Sequence, residues 1–136
     1  MSKVIMKTIM INNFLIINCI GKDDKLGLRI NKDFFIHNCN NQKNKYEYLV
    51  AEIQDFLTSH NVIPNKDFSI IVNQGPGSFS GIRTSMAIAK GLVISKKTKL
   101  YGYKNTDLVE FNQENIEKLL DKNLVEKKLI KPIYIS

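Results

Sequence analysis

The sequence has few of the residues that build metal centres and disulfides. It contains two cysteines and two histidines in 136 residues. Cys19 and Cys39 stand in no metal-like spacing, and a whole predicted helix separates His37 from His60. Because a metal site needs several convergent ligands, the sequence predicts none. The cysteines also give no sign of an oxidising compartment.

A long, uninterrupted hydrophobic run is also lacking. The amino-terminal stretch MSKVIMKTIMINNFLIINCI is apolar, but Asn12, Asn13 and Asn18 interrupt it. A membrane-spanning helix needs about 20 consecutive apolar residues, and no small-residue cleavage site of a secretory signal follows. We therefore expect a cytoplasmic protein with no membrane partner.

Acidic residues are outnumbered by basic ones. The 20 lysines and arginines against 13 aspartates and glutamates give a net charge of +7, and the pI is near 9.4. Such a charge can favour RNA. The lysines are scattered, however, and no basic run carries interleaved aromatic residues, so direct RNA binding is an alternative and not the first expectation.

Hydrophobic periodicity predicts one mixed α/β domain. Three strands are predicted over Val4 to Ile11, Phe14 to Ile20 and Leu26 to Ile36. A helix is predicted from Tyr46 to His60, ending before Pro64, and a strand follows from Phe68 to Val72. A second helix is predicted from Phe79 to Ser95, and a further strand from Leu100 to Tyr103. The tail is predicted to contain a helical turn from Asp107 to Phe111 capped by Thr106, a helix from Glu114 to Leu129 and an extended end from Pro132 to Ser136. The order β-β-β-α-β-α-β with a helical tail predicts a mixed sheet covered by helices, the ribonuclease-H-like, actin-like arrangement.

One glycine-rich segment stands between a predicted buried strand and a predicted helix. Its motif residues, called the motif loop below, are Gly75, Pro76, Gly77, Ser78, Phe79, Ser80, Gly81 and Arg83. The segment is no P-loop, because no Gly-Lys-Ser/Thr triplet follows at the required spacing. It is no dinucleotide fingerprint either, because Ser80 stands where the third glycine belongs. A capped strand-to-helix turn and an anion site at the helix start both remain open.

As a whole string this segment resembles the TsaB (YeaZ) family, often labelled glycoprotease-like. The family signature reads GPGSFTGLR, then AKGLA, then a turn containing glycine; this chain has GPGSFSGIR, Ala89-Lys90-Gly91-Leu92 and Gly102. The ending Lys131-Pro132-Ile133-Tyr134 is also similar to the family's Pro-x-Tyr ending. The strong resemblance covers the motif loop and the helix after it, and the element order extends it over most of the chain.

The resemblance implies a reduced form of the family's architecture. Residues 1–110 would form the first lobe, and residues 111–136 would replace most of the second lobe with a helical tail and a terminal strand. Family members open with a strand that ends in Asp-Thr-Ser/Ala, but Ile11 to Phe14 stand at the expected place without a carboxylate. No His-Asp pattern supports a nucleophile at Ser78 or Ser80. We therefore expect no catalytic residue and no cofactor bound by this chain alone, with ATP or ADP only at a complex interface.

By the same resemblance, the chain would be a non-catalytic subunit of the machinery that makes threonylcarbamoyladenosine in tRNA. Its main partner would be the transferase TsaD, and the ATPase TsaE would join the same assembly. When TsaD is absent, the chain would form a homodimer through the same helices. The assembly as a whole would contact tRNA. Small and apolar residues on the second predicted helix favour a docked partner helix. The predicted interface residues are Ile82, Ser85, Met86, Ala89 and Lys90. The first helix would add Leu49, Ile53 and Phe56, with Tyr46, from one face, or Tyr48 and Glu52 from another. A nucleotide-dependent hydrolase, a peptidase and a direct tRNA-binding module are the alternatives.

Overall fold

The computed structural model describes residues 11–21, 23–39, 45–77, 79–127 and 130–133. Its elements are, in order, β1 Phe14–Asn18, β2 Lys25–Ile30, β3 Asp33–Asn38, α1 Lys45–Ser59, β4 Ser69–Asn73, α2 Phe79–Lys96, β5 Lys99–Tyr103, a 3-10 turn Asn105–Asp107 and α3 Gln113–Asp121. This order agrees with the predicted β-β-β-α-β-α-β arrangement, although its second and third strands together correspond to the one strand predicted over Leu26 to Ile36. Residues 4–10 of the first predicted strand and residues 134–136 of the predicted extended end lie outside the described residues.

The strands form one mixed sheet in the order β3-β2-β1-β4-β5. β2 is antiparallel to both β1 and β3, whereas β1, β4 and β5 are parallel to one another. Helical crossovers join the parallel strands, because parallel neighbours cannot be linked by a tight turn. The carboxyl ends of β1, β4 and β5 therefore meet at one edge of the sheet.

The single strand predicted over Leu26 to Ile36 is a hairpin of two strands. Asn31 and Lys32 both have positive φ, 51° and 76°, as the central residues of a type I′ turn do. Asn31 N donates a hydrogen bond of 3.1 Å to Asn13 Oδ1, which ties this turn to the start of β1. The prediction was wrong here because it passed over the three consecutive polar residues Asn31, Lys32 and Asp33, which interrupt the alternation at the turn.

The tail helix is shorter than predicted. Asn112 caps the start of α3, where its side chain accepts a hydrogen bond from Asn115 N at 2.8 Å. Asn123 adopts a left-handed conformation with φ of 58° just after the helix, so α3 does not reach Leu129. Thr106 caps no helix, because it lies inside the 3-10 turn.

The sheet is the middle layer of the fold, with helices on both faces. On one face, α1 and α2 pack against β1, β2 and β4, where the buried residues are Leu15, Ile17, Leu26, Leu28, Ile70, Val72, Leu49, Ile53, Phe56, Leu57, Met86, Ile88 and Ala89. On the other face, α3 packs against β1, β4 and β5, where they are Phe14, Ile16, Ile71, Tyr101, Tyr103, Ile116, Leu119 and Val125. Successive residues of β1 alternate between the two faces, as the pleat of a strand requires. No helix in the described part of the chain is long and apolar enough to cross a membrane.

A substitution at Gly91 tests whether this side of α2 faces solvent. Gly91 is exposed, and a Cβ built there meets no heavy atom within 4 Å. Since glycine within a helix loses more backbone entropy than alanine on folding, Gly91→Ala should raise the free energy of unfolding by about 0.5–1 kcal/mol. Urea unfolding followed by circular dichroism measures the change. Gly81→Ala is the matched control; it should destabilise, because its Cβ would lie 2.9 Å from Gly21 N. A loss of stability in Gly91→Ala would contradict the exposed position of Gly91.

Candidate functional site

Polar side chains gather where the three parallel strands end. β1 ends at Asn18, β4 at Asn73 and β5 at Tyr103. Asn73 Nδ2 donates hydrogen bonds to Asn18 Oδ1 at 2.6 Å and to Asn105 Oδ1 at 3.1 Å. The Tyr103 hydroxyl donates to Asn18 Oδ1 at 2.9 Å. We call these four residues the amide cluster; they lie at the edge of the sheet where open α/β folds bind their ligands.

The motif loop starts from the amide cluster and is bonded to it. Asn73 Oδ1 accepts a hydrogen bond from Gly75 N at 2.8 Å. Asn105 N donates to Gly75 O at 2.8 Å, and Asn105 Nδ2 donates to Pro76 O at 3.3 Å. The Gly75–Pro76 peptide bond is cis. These bonds tie the turn to the amide cluster, and they use one backbone donor of the loop, Gly75 N, that an anion could otherwise bind.

Two glycines of the motif loop stand where a side chain would not fit. Gly75 has φ of 102°, and a Cβ there would collide with Ile133 O. A Cβ on Gly81 would lie 2.9 Å from Gly21 N and 3.2 Å from Cys19 O, in the backbone that follows β1. These motif glycines therefore allow the loop and the start of α2 to approach two other segments of the chain closely.

The remaining motif residues occupy the start of α2. Ser78 lies outside the described residues, and Phe79 is the first residue of α2. Ser80 and Arg83 are exposed, whereas Gly81 is buried. The motif thus joins the amide cluster to the outer surface of α2 within a few residues.

A cavity of about 510 Å³ lies beside the amide cluster. Its lining consists of Asn18, Ile20, Asp23, Lys25, Asn105, Thr106, Leu108, Val109, Glu110 and Phe111. Side-chain amides donate and accept hydrogen bonds but do not exchange protons near neutral pH. Burial and the nearby Cys19 raise the pKa of Tyr103 well above its ordinary value, although its hydrogen bond with Asn73 lowers it. The three amides of the cluster can therefore orient a polar molecule without exchanging protons with it.

The structure also corrects where the end of the first sheet strand lies. The strand end that carries the family's carboxylate was expected at Ile11 to Phe14, but the strand that pairs in parallel with β4 is β1, which ends at Asn18. Asn18 is an amide, so this position has no carboxylate either. In the sequence, Asn18 is marked only by its position at the end of an apolar run. That position indicates a site only when Asn73 and Tyr103 are known to end the neighbouring strands.

Most of the predicted interface residues face inward, which corrects the predicted orientation of α2. For α1, the face that carries Leu49, Ile53 and Phe56 is buried, whereas Tyr48 of the alternative face is exposed. The chain's own core buries Ile82, Ser85, Met86, Ala89, Leu49, Ile53 and Phe56. Of the residues predicted in α2, Lys90 is exposed. The small residues of α2 misled the prediction because they occur on both sides of this helix. Ser85 can face the core because its hydroxyl donates a hydrogen bond to Ile82 O at 3.1 Å.

The outward surface of the two helices, which we call the outer helix face, consists largely of other residues. In α2 it comprises the exposed Ala87, Gly91 and Ile94, together with the exposed Arg83 and Lys90 on the same side of the helix. In the adjacent α1 it comprises the exposed Tyr48 and Ala51, together with the exposed Glu47 and Asp55. Ile94 is 79% exposed and Tyr48 is 45% exposed. Two large apolar side chains beside small ones make a surface that another helix could approach closely.

Comparisons with known proteins bear on the fold. No family model matches the sequence, and no curated protein matches it. Among solved structures, YeaZ from Pseudomonas aeruginosa matches with a TM-score of 0.65 and 14% identity, over 83% of this chain and 50% of YeaZ. An uncharacterized protein described as similar to peptidase YeaZ from Pseudomonas aeruginosa matches with a TM-score of 0.65 and 16% identity, over 73% of this chain and 46% of the other.

At these identities the likeness concerns the fold. The chain spans about half the length of the solved structures it matches. The sheet order, the crossover helices and the structural matches agree with the predicted ribonuclease-H-like, actin-like class. This chain therefore has the YeaZ-like (TsaB-like) fold over most of its length.

Proposed function

We propose that the chain is a non-catalytic TsaB-like subunit of the assembly that forms threonylcarbamoyladenosine in tRNA. Three features support this proposal: the YeaZ-like fold, the GPGSFSGIR segment at the strand-to-helix turn and the outer helix face. The outer helix face is the observation that carries it, because it offers a specific surface for a partner. The partner we propose is the transferase TsaD.

The contact would be made by helix packing. Ala87 and Gly91 lie one turn apart and leave the backbone of α2 accessible to a partner helix, while Ile94 and Tyr48 supply large apolar side chains. Small residues at the crossing point allow two helices to approach closely. Burial of the large side chains would supply the free energy, as it does in apolar interface cores. A homodimer through the same face would form when TsaD is absent.

The chemistry of the amide cluster supports a role without catalysis. Actin-like ATPases use carboxylates to hold a divalent ion against phosphate, whereas β1 of this chain ends at Asn18. Among the described residues, no group of three metal-ligating side chains lies at this edge of the sheet. We propose that the chain alone binds no nucleotide, and that ATP or ADP binds only at an interface of the assembly, with TsaE as a further partner. tRNA would be contacted through the assembly, to which the net charge of +7 can contribute.

Co-purification with TsaD tests this proposal. A tagged TsaD from the same organism should retain the chain in a stoichiometric complex, whose mass light scattering reports. Gly91→Arg should abolish retention while the far-ultraviolet circular dichroism spectrum stays unchanged, because the new side chain has open space in the free chain and blocks the approach of a partner helix.

Ile63→Arg is the matched control, because Ile63 is 85% exposed in the loop after α1 and lies outside the outer helix face. This variant should bind TsaD as the unaltered chain does. Equal retention of both variants would contradict docking through the outer helix face. Binding of ATP, or salt-sensitive binding of tRNA, by the chain without TsaD would instead favour an enzyme or an RNA-binding module.

A further inference from the structure

Three side chains of different chemistry converge under α1. They are His37 in β3, Cys39 just after β3 and Glu52 in α1; their ligand atoms all lie within 4.8 Å of one another. His37 Nε2 is 3.7 Å from Glu52 Oε1. The group lies between β3 and α1, apart from the amide cluster and from the outer helix face, and nothing in the proposed function uses it.

The backbone holds the three residues in place. His37 and Cys39 are two positions apart on an extended segment, so their side chains lie on the same face of the sheet. His37 is paired with Leu26 in the antiparallel ladder. Cys39 N donates a hydrogen bond of 2.9 Å to Asp24 O, which continues the ladder one residue beyond β3. Glu52 belongs to a helix whose buried residues anchor it on this face.

One atom of the group is left unsatisfied by the chain itself. His37 Nε2 is buried and has no hydrogen-bond partner among the described residues. The gap of 3.7 Å to Glu52 is too long for a hydrogen bond. Zinc binds imidazole nitrogen and carboxylate oxygen at about 2.0–2.2 Å, so a single ion can bond to both atoms across this gap.

The donor set selects the metal. A thiolate sulfur, an imidazole nitrogen and a carboxylate oxygen suit Zn²⁺, whereas Mg²⁺ and Ca²⁺ prefer oxygen ligands alone. A cavity of about 290 Å³ adjoins the group and is lined by His37, Glu52, Asp55, Phe56 and Ser59. Three protein ligands beside a cavity leave one coordination position of a tetrahedral ion for water.

We propose that His37, Cys39 and Glu52 bind one zinc ion, with its fourth position facing this cavity. Cys39 binds as the thiolate and releases its proton to solvent when the metal enters. This site departs from the sequence analysis, which predicted no metal site. It does not depend on the proposed function.

The test uses the full chain, reduced and freed of metal, titrated with Zn²⁺ alone and with Co²⁺ alone. Competition with a chromophoric chelator should give one zinc per chain. Co²⁺ should produce the visible bands of a tetrahedral ion and a sulfur-to-metal charge-transfer band in the near ultraviolet. Cys39→Ser, His37→Gln and Glu52→Gln should each weaken zinc binding by about 100-fold or more, since even outer-shell changes cost about 10- to 100-fold.

Asp55→Asn is the matched control, because Asp55 lines the same cavity outside the ligand group. Its zinc affinity should stay within about threefold of the unaltered chain, below the cost of losing even an outer-shell contact. Failure of the unaltered chain to bind zinc, bound cobalt without a sulfur charge-transfer band, or equal binding by Cys39→Ser would each overturn the proposal. The cobalt spectrum needs no substitution, so the proposal can be refuted even if a variant fails to fold.

Discussion

Ala89→Glu is expected to destabilise the chain strongly. Ala89 is fully buried in the layer between α2 and the sheet. A glutamate there would need space that the packed core does not offer, and its carboxylate would have no partner. An uncompensated charge in a protein interior costs about 3–5 kcal/mol, a large share of the roughly 5–15 kcal/mol that holds a domain of this kind together. Circular dichroism and urea unfolding measure the loss.

The adjacent residue supplies the control for Ala89→Glu. Lys90 is exposed, so Lys90→Glu also introduces a carboxylate but leaves it in solvent. Surface substitutions usually alter stability by less than about 0.5 kcal/mol. The sequence analysis predicted that position 89 faces a partner. If Ala89→Glu were as stable as the unaltered chain and lost only binding to TsaD, that earlier prediction would be right and the inward orientation of α2 would be wrong.

Asn73→Ala should cause the second large effect, because one side chain holds three segments together. Asn73 is fully buried; its amide donates to Asn18 and Asn105, and its oxygen accepts from Gly75 N. Alanine would remove these partners of Asn105 Oδ1 and Gly75 N, at about 1–3 kcal/mol for each unsatisfied group, whereas Asn18 Oδ1 would keep its hydrogen bond from the Tyr103 hydroxyl. We expect a total loss of about 3 kcal/mol in the free energy of unfolding, since part of the network can rearrange.

Amide hydrogen exchange distinguishes this mechanism from general destabilisation. Exchange of the Gly75 amide should accelerate more than that of the β1 amides, because Gly75 N loses its own acceptor. Asn65→Ala is the matched control, since the Asn65 side chain accepts only from the nearby Asp67 N in an exposed turn. Equal losses in the two variants would show that the amide cluster contributes no more than an ordinary surface turn.

Periodicity predicted the elements well where one face is apolar and the other polar. α1 was placed within one residue at each end because Leu49, Ile53 and Phe56 recur at helical spacing. β4 was recognised as a short apolar run and is buried throughout. Local chemistry decides such elements, and local chemistry can be read from the sequence.

The errors arose where one residue adopts an unusual backbone conformation. Lys32 has φ of 76° in the hairpin turn, and lysine gives no compositional signal for that conformation. Asn123 ends α3 in the same left-handed region, although charged and apolar residues continue to alternate beyond it. The surrounding structure selects these conformations, which periodicity alone does not reveal.

The candidate sites depend on which residues the sheet brings together. Asn18, Asn73 and Tyr103 are far apart in the sequence and meet because three parallel strands end in register. His37 and Glu52 likewise face each other only because α1 lies over β3. The motif loop itself could be located from the sequence, but its hydrogen bonds to the amide cluster could not, because they depend on the order of strands in the sheet.

Two hydrogen bonds of Gln74, the residue just before the motif loop, can form only late in the synthesis of the chain. Ile133 N donates a hydrogen bond of 2.6 Å to Gln74 O, and Gln74 Nε2 donates to Lys131 O at 3.1 Å. A ribosome would deliver the glycine-rich segment more than fifty residues before these partners. The nascent loop must therefore wait for residues 131–133 to leave the exit tunnel before it can acquire its final bonds. Until then, any chaperone or early-binding subunit would meet a loop that is still open on this side.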